Sequence, residues 1–178
     1  MERDIEKVLI SEQEISLKIA EIGEQISKDY KDKNLLLVCV LKGSVVFMAD
    51  LMRAIKIPCE IDFLSISSYG NGAKSSGKVN IIKDISSDLS GYDVLVVEDI
   101  LDSGLTLTYL MNMMKDRNAN SLKICTFIDK PEGRKVEISS DYSLFNVPDC
   151  FIVGYGLDYA QKYRNLPFIA ILKEEIYK

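Results

Sequence analysis

Histidine is absent from this chain of 178 residues. That excludes an imidazole general base, a Ser–His triad and any His-ligated zinc. Acid–base work is left to carboxylates, Lys, Tyr or Cys. No apolar run reaches the length of a membrane span; the densest patch, Leu35 to Leu41, is strand-sized. The charged start, Met1 to Ile10, lacks the apolar segment of a signal peptide, and the expected location is the cytoplasm. Low-complexity tracts and solenoid-length repeats are missing as well. Positive charge is scarce: 22 Lys and Arg against 27 Asp and Glu give a net charge of −5, which argues against nucleic acid as a partner. An anionic ligand must then be held by local amides, a metal or a few cations. None of the four cysteines (Cys39, Cys59, Cys125 and Cys150) forms a C-x-x-C pair, and all four read as buried free thiols.

What is present reads as a single domain over residues 1–178. Ser11-Glu12-Gln13-Glu14 is a capping box, and Ile15, Ile19, Ile22 and Ile26 continue at helical spacing, which predicts a helix from Glu12 to Tyr30. Leu35 to Val40 reads as a buried parallel strand, and a helix follows from Val45 to Ile55. Further strands are predicted over Glu60–Ser67, Lys78–Ile82, Asp93–Val97, Leu122–Ile128, Phe151–Val153 and Phe168–Leu172, with a helix ending near Arg117. Alternating strands and helices predict an α/β fold with a doubly wound, mainly parallel central sheet. Ligands bind such sheets beyond the strands' carboxyl ends, where the polar clusters after Val40, Val97, Ile128 and Val153 are expected. The glycine- and serine-rich stretch from Ser67 to Gly77 is either a plain hairpin connection or an active-site lid.

The chemistry concentrates in Val94-Leu95-Val96-Val97-Glu98-Asp99-Ile100-Leu101-Asp102-Ser103-Gly104-Leu105-Thr106-Leu107. A buried strand runs into two adjacent carboxylates, then a small hydroxyl-bearing turn, then a helix. Amides converging at a helix N-terminus, with Ser103 and Thr106 hydroxyls beside them, form a phosphate cradle. The nucleoside-triphosphate loop G-x-x-x-x-G-K-[ST] and the dinucleotide fingerprint G-x-G-x-x-G are both missing. Glu98 and Asp99 would repel a phosphate unless they bind ribose hydroxyls or a divalent metal.

That segment resembles the phosphoribosyl pyrophosphate motif of type I phosphoribosyltransferases. Four more segments resemble the hypoxanthine–guanine branch: Leu41-Lys42-Gly43, Ser68-Tyr69, Asp129-Lys130-Pro131, and the run from Phe151-Ile152-Val153 through Gly154-Tyr155-Gly156-Leu157-Asp158-Tyr159 to Tyr163-Arg164. The resemblance implies transfer of a phosphoribosyl group from phosphoribosyl pyrophosphate to a 6-oxopurine base, giving IMP or GMP, with Mg²⁺ as cofactor. It also implies a small hood beside the sheet, a mobile loop at Ser68 and Tyr69, and a homo-oligomer, dimer or tetramer.

By the same resemblance, Asp102 is the general base and Asp102, Ser103, Gly104, Leu105 and Thr106 hold the 5′-phosphate, although a basic residue often stands where this chain has Leu105. Glu98 and Asp99 bind ribose and Mg²⁺, and Asp158 binds a second Mg²⁺. Lys130, Phe151, Ile152 and Asp158 receive the purine: Lys130 donates to its exocyclic oxygen and Phe151 stacks on its face. Leu41, Lys42, Gly43 and Arg164 bind pyrophosphate, and the Leu41–Lys42 peptide can be cis in the family. A pyrimidine-using relative or a related regulatory nucleotide-binding protein is the alternative. The Lys130 and Phe151 positions and the acidic balance weigh against it.

Overall fold

The structure, a computed structural model, describes residues 1–68 and 79–177. A six-stranded sheet runs in the order β4 (Val79–Lys83), β3 (Cys59–Ser68), β2 (Leu35–Leu41), β5 (Asp93–Leu101), β6 (Ser121–Asp129) and β7 (Tyr142–Asn146). All neighbours are parallel except β3 and β4. The chain winds outward from β2 to β3 in one direction and from β5 through β6 to β7 in the other. The switch point therefore falls between β2 and β5, where ligands lodge in open α/β sheets.

Alternation within β2 supplies two cores. Leu35, Leu37 and Cys39 face α1 (Glu12–Asp29) and α2 (Val45–Ala54), joined by Leu95 and Val97 of β5. Leu36, Val38 and Val40, with Val94 and Val96, face α3 (Leu105–Lys115) through Leu107, Leu110 and Met114. Burial on both faces is why these strands read as unbroken apolar runs. Helix α1 begins as expected: the Ser11 side chain accepts from the Glu14 amide and Glu14 Oε2 accepts from the Ser11 amide at 2.8 Å.

The structure corrects four expectations. Strand β5 does not stop at Val97. Its pairing with β6 continues through Glu98–Thr126 to Leu101–Asp129, so the acid pair lies within the strand. The late strands β8 (Ile152–Val153) and β9 (Ile169–Leu172) leave the central sheet. With β1 (Ile5–Ile10), which the charged start concealed, they form a separate antiparallel hood sheet. The segment after Val153 is therefore hood and not a carboxyl end of the main sheet. Strand β7 was not expected. Cys39 and Cys125 are buried, but Cys59 and Cys150 are only half-buried. Among the described residues no helix is long and apolar enough to cross a membrane.

Candidate active site

The ends of three adjacent parallel strands supply most of the expected residues. Strand β2 ends at Leu41, and the Leu41–Lys42 peptide is cis. Gly43 lies directly against Asp99 of β5: a Cβ built on Gly43 would collide with the Asp99 carboxylate. From the other side, Gly156 of the hood packs so closely on the Gly43 carbonyl that it too has no room for a side chain. The turn read as pyrophosphate-binding and Asp99 thus meet at the switch point, with the hood resting on the turn.

Glu98 and Asp99 carry the site's strongest electrostatic perturbation. Burial first, and then the neighbouring Asp99 charge, push the Glu98 carboxyl well above its ordinary range. Burial also raises Asp99, opposed by hydrogen bonds and by the Arg164 charge. Glu98 Oε2 is enclosed and has no hydrogen-bond partner. Two adjacent buried carboxylates, one with an unpartnered oxygen, suit a hard divalent cation, which takes oxygen ligands and commonly binds through one or two carboxylates plus substrate phosphates.

Beyond Leu101 the chain turns into α3. Gly104 is the N-cap at φ +80°, a left-handed conformation, and a Cβ there would also strike Ile138. No side chain caps the helix. Its first intrahelical bond runs from the Thr108 amide to the Gly104 carbonyl at 2.9 Å, which leaves the preceding N–H groups without helical partners. A cavity of about 220 Å³ opens there, lined by Glu98, Ile100, Leu101, Asp102, Ser103, Gly104, Thr106 and Leu107. The start of α3 and Glu98 therefore share one space, while Asp99 faces Gly43.

Lys130 follows β6 and is only 7% exposed, unusual burial for a lysine in a loop. Its Nζ donates to the Cys150 carbonyl and lies 4.0 Å from an Asp149 carboxylate oxygen. The Cys150 carbonyl it holds immediately precedes Phe151, a residue 37% exposed. Ile152 is buried in β8 and registers with Ile171. Asp158 and Arg164 form an ion pair at 2.6 Å, and Arg164 also donates to the Gly156 carbonyl at 2.7 Å. Asp158 is not brought into one cluster with Glu98 and Asp99: among the described residues no group of three or more metal-ligating side chains forms. Ser68 ends β3 opposite Val79, and Tyr69 lies outside the described residues, as does most of the stretch read as either a hairpin connection or a lid.

Arg134 was not anticipated. Its Nη1 donates to the carbonyls of Leu101 at 3.0 Å and Asp102 at 2.6 Å, and its Nη2 pairs with Asp129. Main-chain bonds reinforce this stitch, from the Lys130 amide to Leu101 O and from the Lys135 amide to Ser103 O, both at 2.9 Å. The loop carrying Lys130 is thereby fastened to the loop carrying Asp102. Local pattern held no signal for this, since an arginine four residues past a lysine in a polar loop reads as solvated.

The parallel sheet with its hood resting on the switch point is the fold of a phosphoribosyltransferase. The chain belongs to that family: the model of the phosphoribosyl transferase domain matches residues 9–160. The chain is 54% identical over 177 residues, covering 99% of its length and 98% of the relative's, to a hypoxanthine-guanine phosphoribosyltransferase of Streptococcus pyogenes. It is 53% identical over 178 residues, covering 100% and 99%, to one from Bacillus subtilis. Its fold superposes with a TM-score of 0.97 on a crystal structure of a hypoxanthine phosphoribosyltransferase from Staphylococcus aureus, at 46% identity and covering 100% of this chain and 97% of that one.

Proposed function

We propose that this chain serves purine salvage by transferring the 5-phosphoribosyl group from phosphoribosyl pyrophosphate to hypoxanthine or guanine. The C1′–N9 bond forms, the C1′–oxygen bond to pyrophosphate breaks, and the N9 proton leaves the base; the products are IMP or GMP and pyrophosphate. The observation that carries this reading is the convergence at the switch point: helix-terminal amides for a phosphate with Glu98 in the same cavity, Asp99 beside it against the Gly43 turn, and a buried lysine on the next strand end.

The transition state is a cation-like sugar with a heavily charged leaving group. The α3 N-terminus, with Ser103, Gly104, Leu105 and Thr106, anchors the 5′-phosphate and so fixes the ribose. Glu98 and Asp99 hold the ribose hydroxyls, directly or through Mg²⁺, and their crowded carboxylates are the feature that fits the ion. Mg²⁺, when bound, supplies charge neutralisation for pyrophosphate. Asp102 takes the base proton as general base. Lys130 donates to the 6-oxo group; adenine would set two donors against each other. Phe151 stacks on the purine, and Ile152 offers backbone groups to its edge. The Leu41–Gly43 turn and Arg164 receive pyrophosphate, and Asp158 would hold a second Mg²⁺. Ser68 and Tyr69 begin the loop that excludes water. The enzyme works in the cytoplasm as a dimer or tetramer.

The test is pyrophosphate release from phosphoribosyl pyrophosphate and Mg²⁺ with hypoxanthine, guanine, xanthine, adenine or uracil. Turnover with hypoxanthine or guanine that a chelator abolishes is expected. Turnover with uracil alone would move the chain to the pyrimidine branch, and silence with every base would sink the reading. Lys130→Ala should narrow the gap between 6-oxo and 6-amino purines; an unchanged gap would remove Lys130 from the selectivity device.

A further inference from the structure

The hood contains an aromatic arrangement of which the transfer reaction as described uses only Phe151. Phe151 is stacked on Tyr177, with ring centroids 4.7 Å apart and planes 20° from parallel. Tyr159 stands nearly perpendicular to it, at 5.7 Å and 86°. More than a third of Phe151 nonetheless remains open to solvent, in a molecule whose other phenylalanines lie in the interior or are partly buried.

Tyr177 is held in this position from several sides. It closes α4 (Glu174–Tyr177), a single turn begun by the bond from the Ile176 amide to Lys173 O at 3.0 Å. The Lys173 amide in turn donates to Asp4 O at 3.0 Å, tying the turn to the start of the chain. Ile176 and Tyr177 pack on the cluster of Val153, Tyr163, Leu166 and Leu172. The main chain on the other side of Phe151 is held too, since Lys130 Nζ grips the Cys150 carbonyl. A partly exposed phenylalanine with a parallel ring behind it and a clamped carbonyl before it is a preorganised platform. Offset parallel stacking stabilises an aromatic pair beyond the area it buries and limits the rotation of each ring.

We propose that Tyr177 is a positioning residue for the base: it backs Phe151, so that the purine completes a three-ring stack of Tyr177, Phe151 and base. The proposal rests on the reading of Phe151 as the purine-stacking residue. It assigns the last helical turn, far in sequence from the cradle, a share in base affinity. It predicts that base and nucleotide binding depend on Tyr177 while phosphoribosyl pyrophosphate binding does not.

The experiment compares Tyr177→Ala, Tyr177→Phe and Phe151→Ala with the unmodified chain. IMP affinity is measured by titration calorimetry, and KM is measured for hypoxanthine and for phosphoribosyl pyrophosphate. Tyr177→Ala should weaken IMP and raise the base KM by about 2- to 12-fold, the range of a stacked aromatic pair. The phosphoribosyl pyrophosphate KM and kcat should stay within roughly twofold, a split that a general loss of structure would not produce. Tyr177→Phe, which keeps the ring, should restore base binding, and Phe151→Ala should weaken IMP at least as much as Tyr177→Ala. An unchanged base KM in Tyr177→Ala, or equal losses for both substrates, overturns the proposal. Tighter IMP binding also overturns it, because Tyr177 would then occupy the place of the base. If Phe151→Ala leaves IMP affinity untouched, the underlying reading of Phe151 fails, and an unmodified chain that binds no IMP defeats the whole functional assignment.

Discussion

Replacing Arg134 with methionine should loosen two halves of the site at once. The guanidinium donates to the carbonyls of Leu101 and Asp102 and pairs with Asp129. Methionine keeps much of the side-chain volume and removes every donor. Hydrogen bonds from a charged group contribute about 1.5–3 kcal/mol each, with no simple additivity. The side chains of Arg134 and Asp129 are each 17% exposed, so water compensates in part. The main-chain bonds at Lys130 and Lys135 survive the substitution. A net loss of about 3 kcal/mol follows, and at this chain length it lowers Tm by roughly 6–12 °C.

The catalytic consequence is separable from the loss of stability. The two loops carry Asp102 and Lys130, and a shift of about 1 Å between reacting groups costs roughly 100-fold in rate. Steady-state pyrophosphate release at a temperature where both proteins stay folded should show kcat/KM falling for both substrates together. Arg134→Lys, which retains the charge but not the fork, should recover part of the activity. Arg134→Met with an unaltered Tm and with kcat/KM within about twofold of the unmodified chain would refute the clamp. A lower Tm with unaltered kcat/KM would reduce it to a structural fastening.

Two further outcomes test neighbouring arguments. Gly43→Ala drives a methyl group into the Asp99 carboxylate; overpacking of this kind costs about 1–3 kcal/mol, and the displaced acid should raise the phosphoribosyl pyrophosphate KM and lower kcat, so wild-type kinetics would show that the contact is not needed. Asp62 is 6% exposed; burial opposes its ionisation, but amides of Ser87, Phe63 and Ser86 outweigh burial and hold it at about 2. With the folded pKa below the ordinary 3.8, its stabilisation is full above about pH 4 and disappears as the pH falls toward 2. Asp62→Asn should therefore be less stable near neutrality and lose less between pH 4 and 2, and parallel acid-unfolding curves for the two proteins would refute the assignment.

Local pattern in the sequence determined much of this protein. The Ser11–Glu14 capping box and the isoleucines at helical spacing set out α1, because their interactions lie within one or two turns. The apolar runs from Leu35 and from Val94 announced buried parallel strands, because strands covered on both faces need apolar side chains at every position. The Glu98–Thr106 segment carried its chemistry in adjacent residues, so the acid pair and the cradle were legible together.

Contacts between segments distant in sequence were decided only by the tertiary structure. Strand β1 hides in a charged start, since its partner β9 lies at the other end of the chain and one strand of a half-exposed hood needs few apolar residues. Glu98 and Asp99 belong to β5 because β6 extends beside them. Gly43 reads as any turn glycine until Asp99 is seen against it. Arg134 and Tyr177 look like an exposed cation and a terminal aromatic until two loops cross and the last turn folds back onto Phe151. A local pattern records what each residue prefers, whereas the desolvation of Glu98, the clamp of Arg134 and the stack on Phe151 exist only once folding brings their partners together.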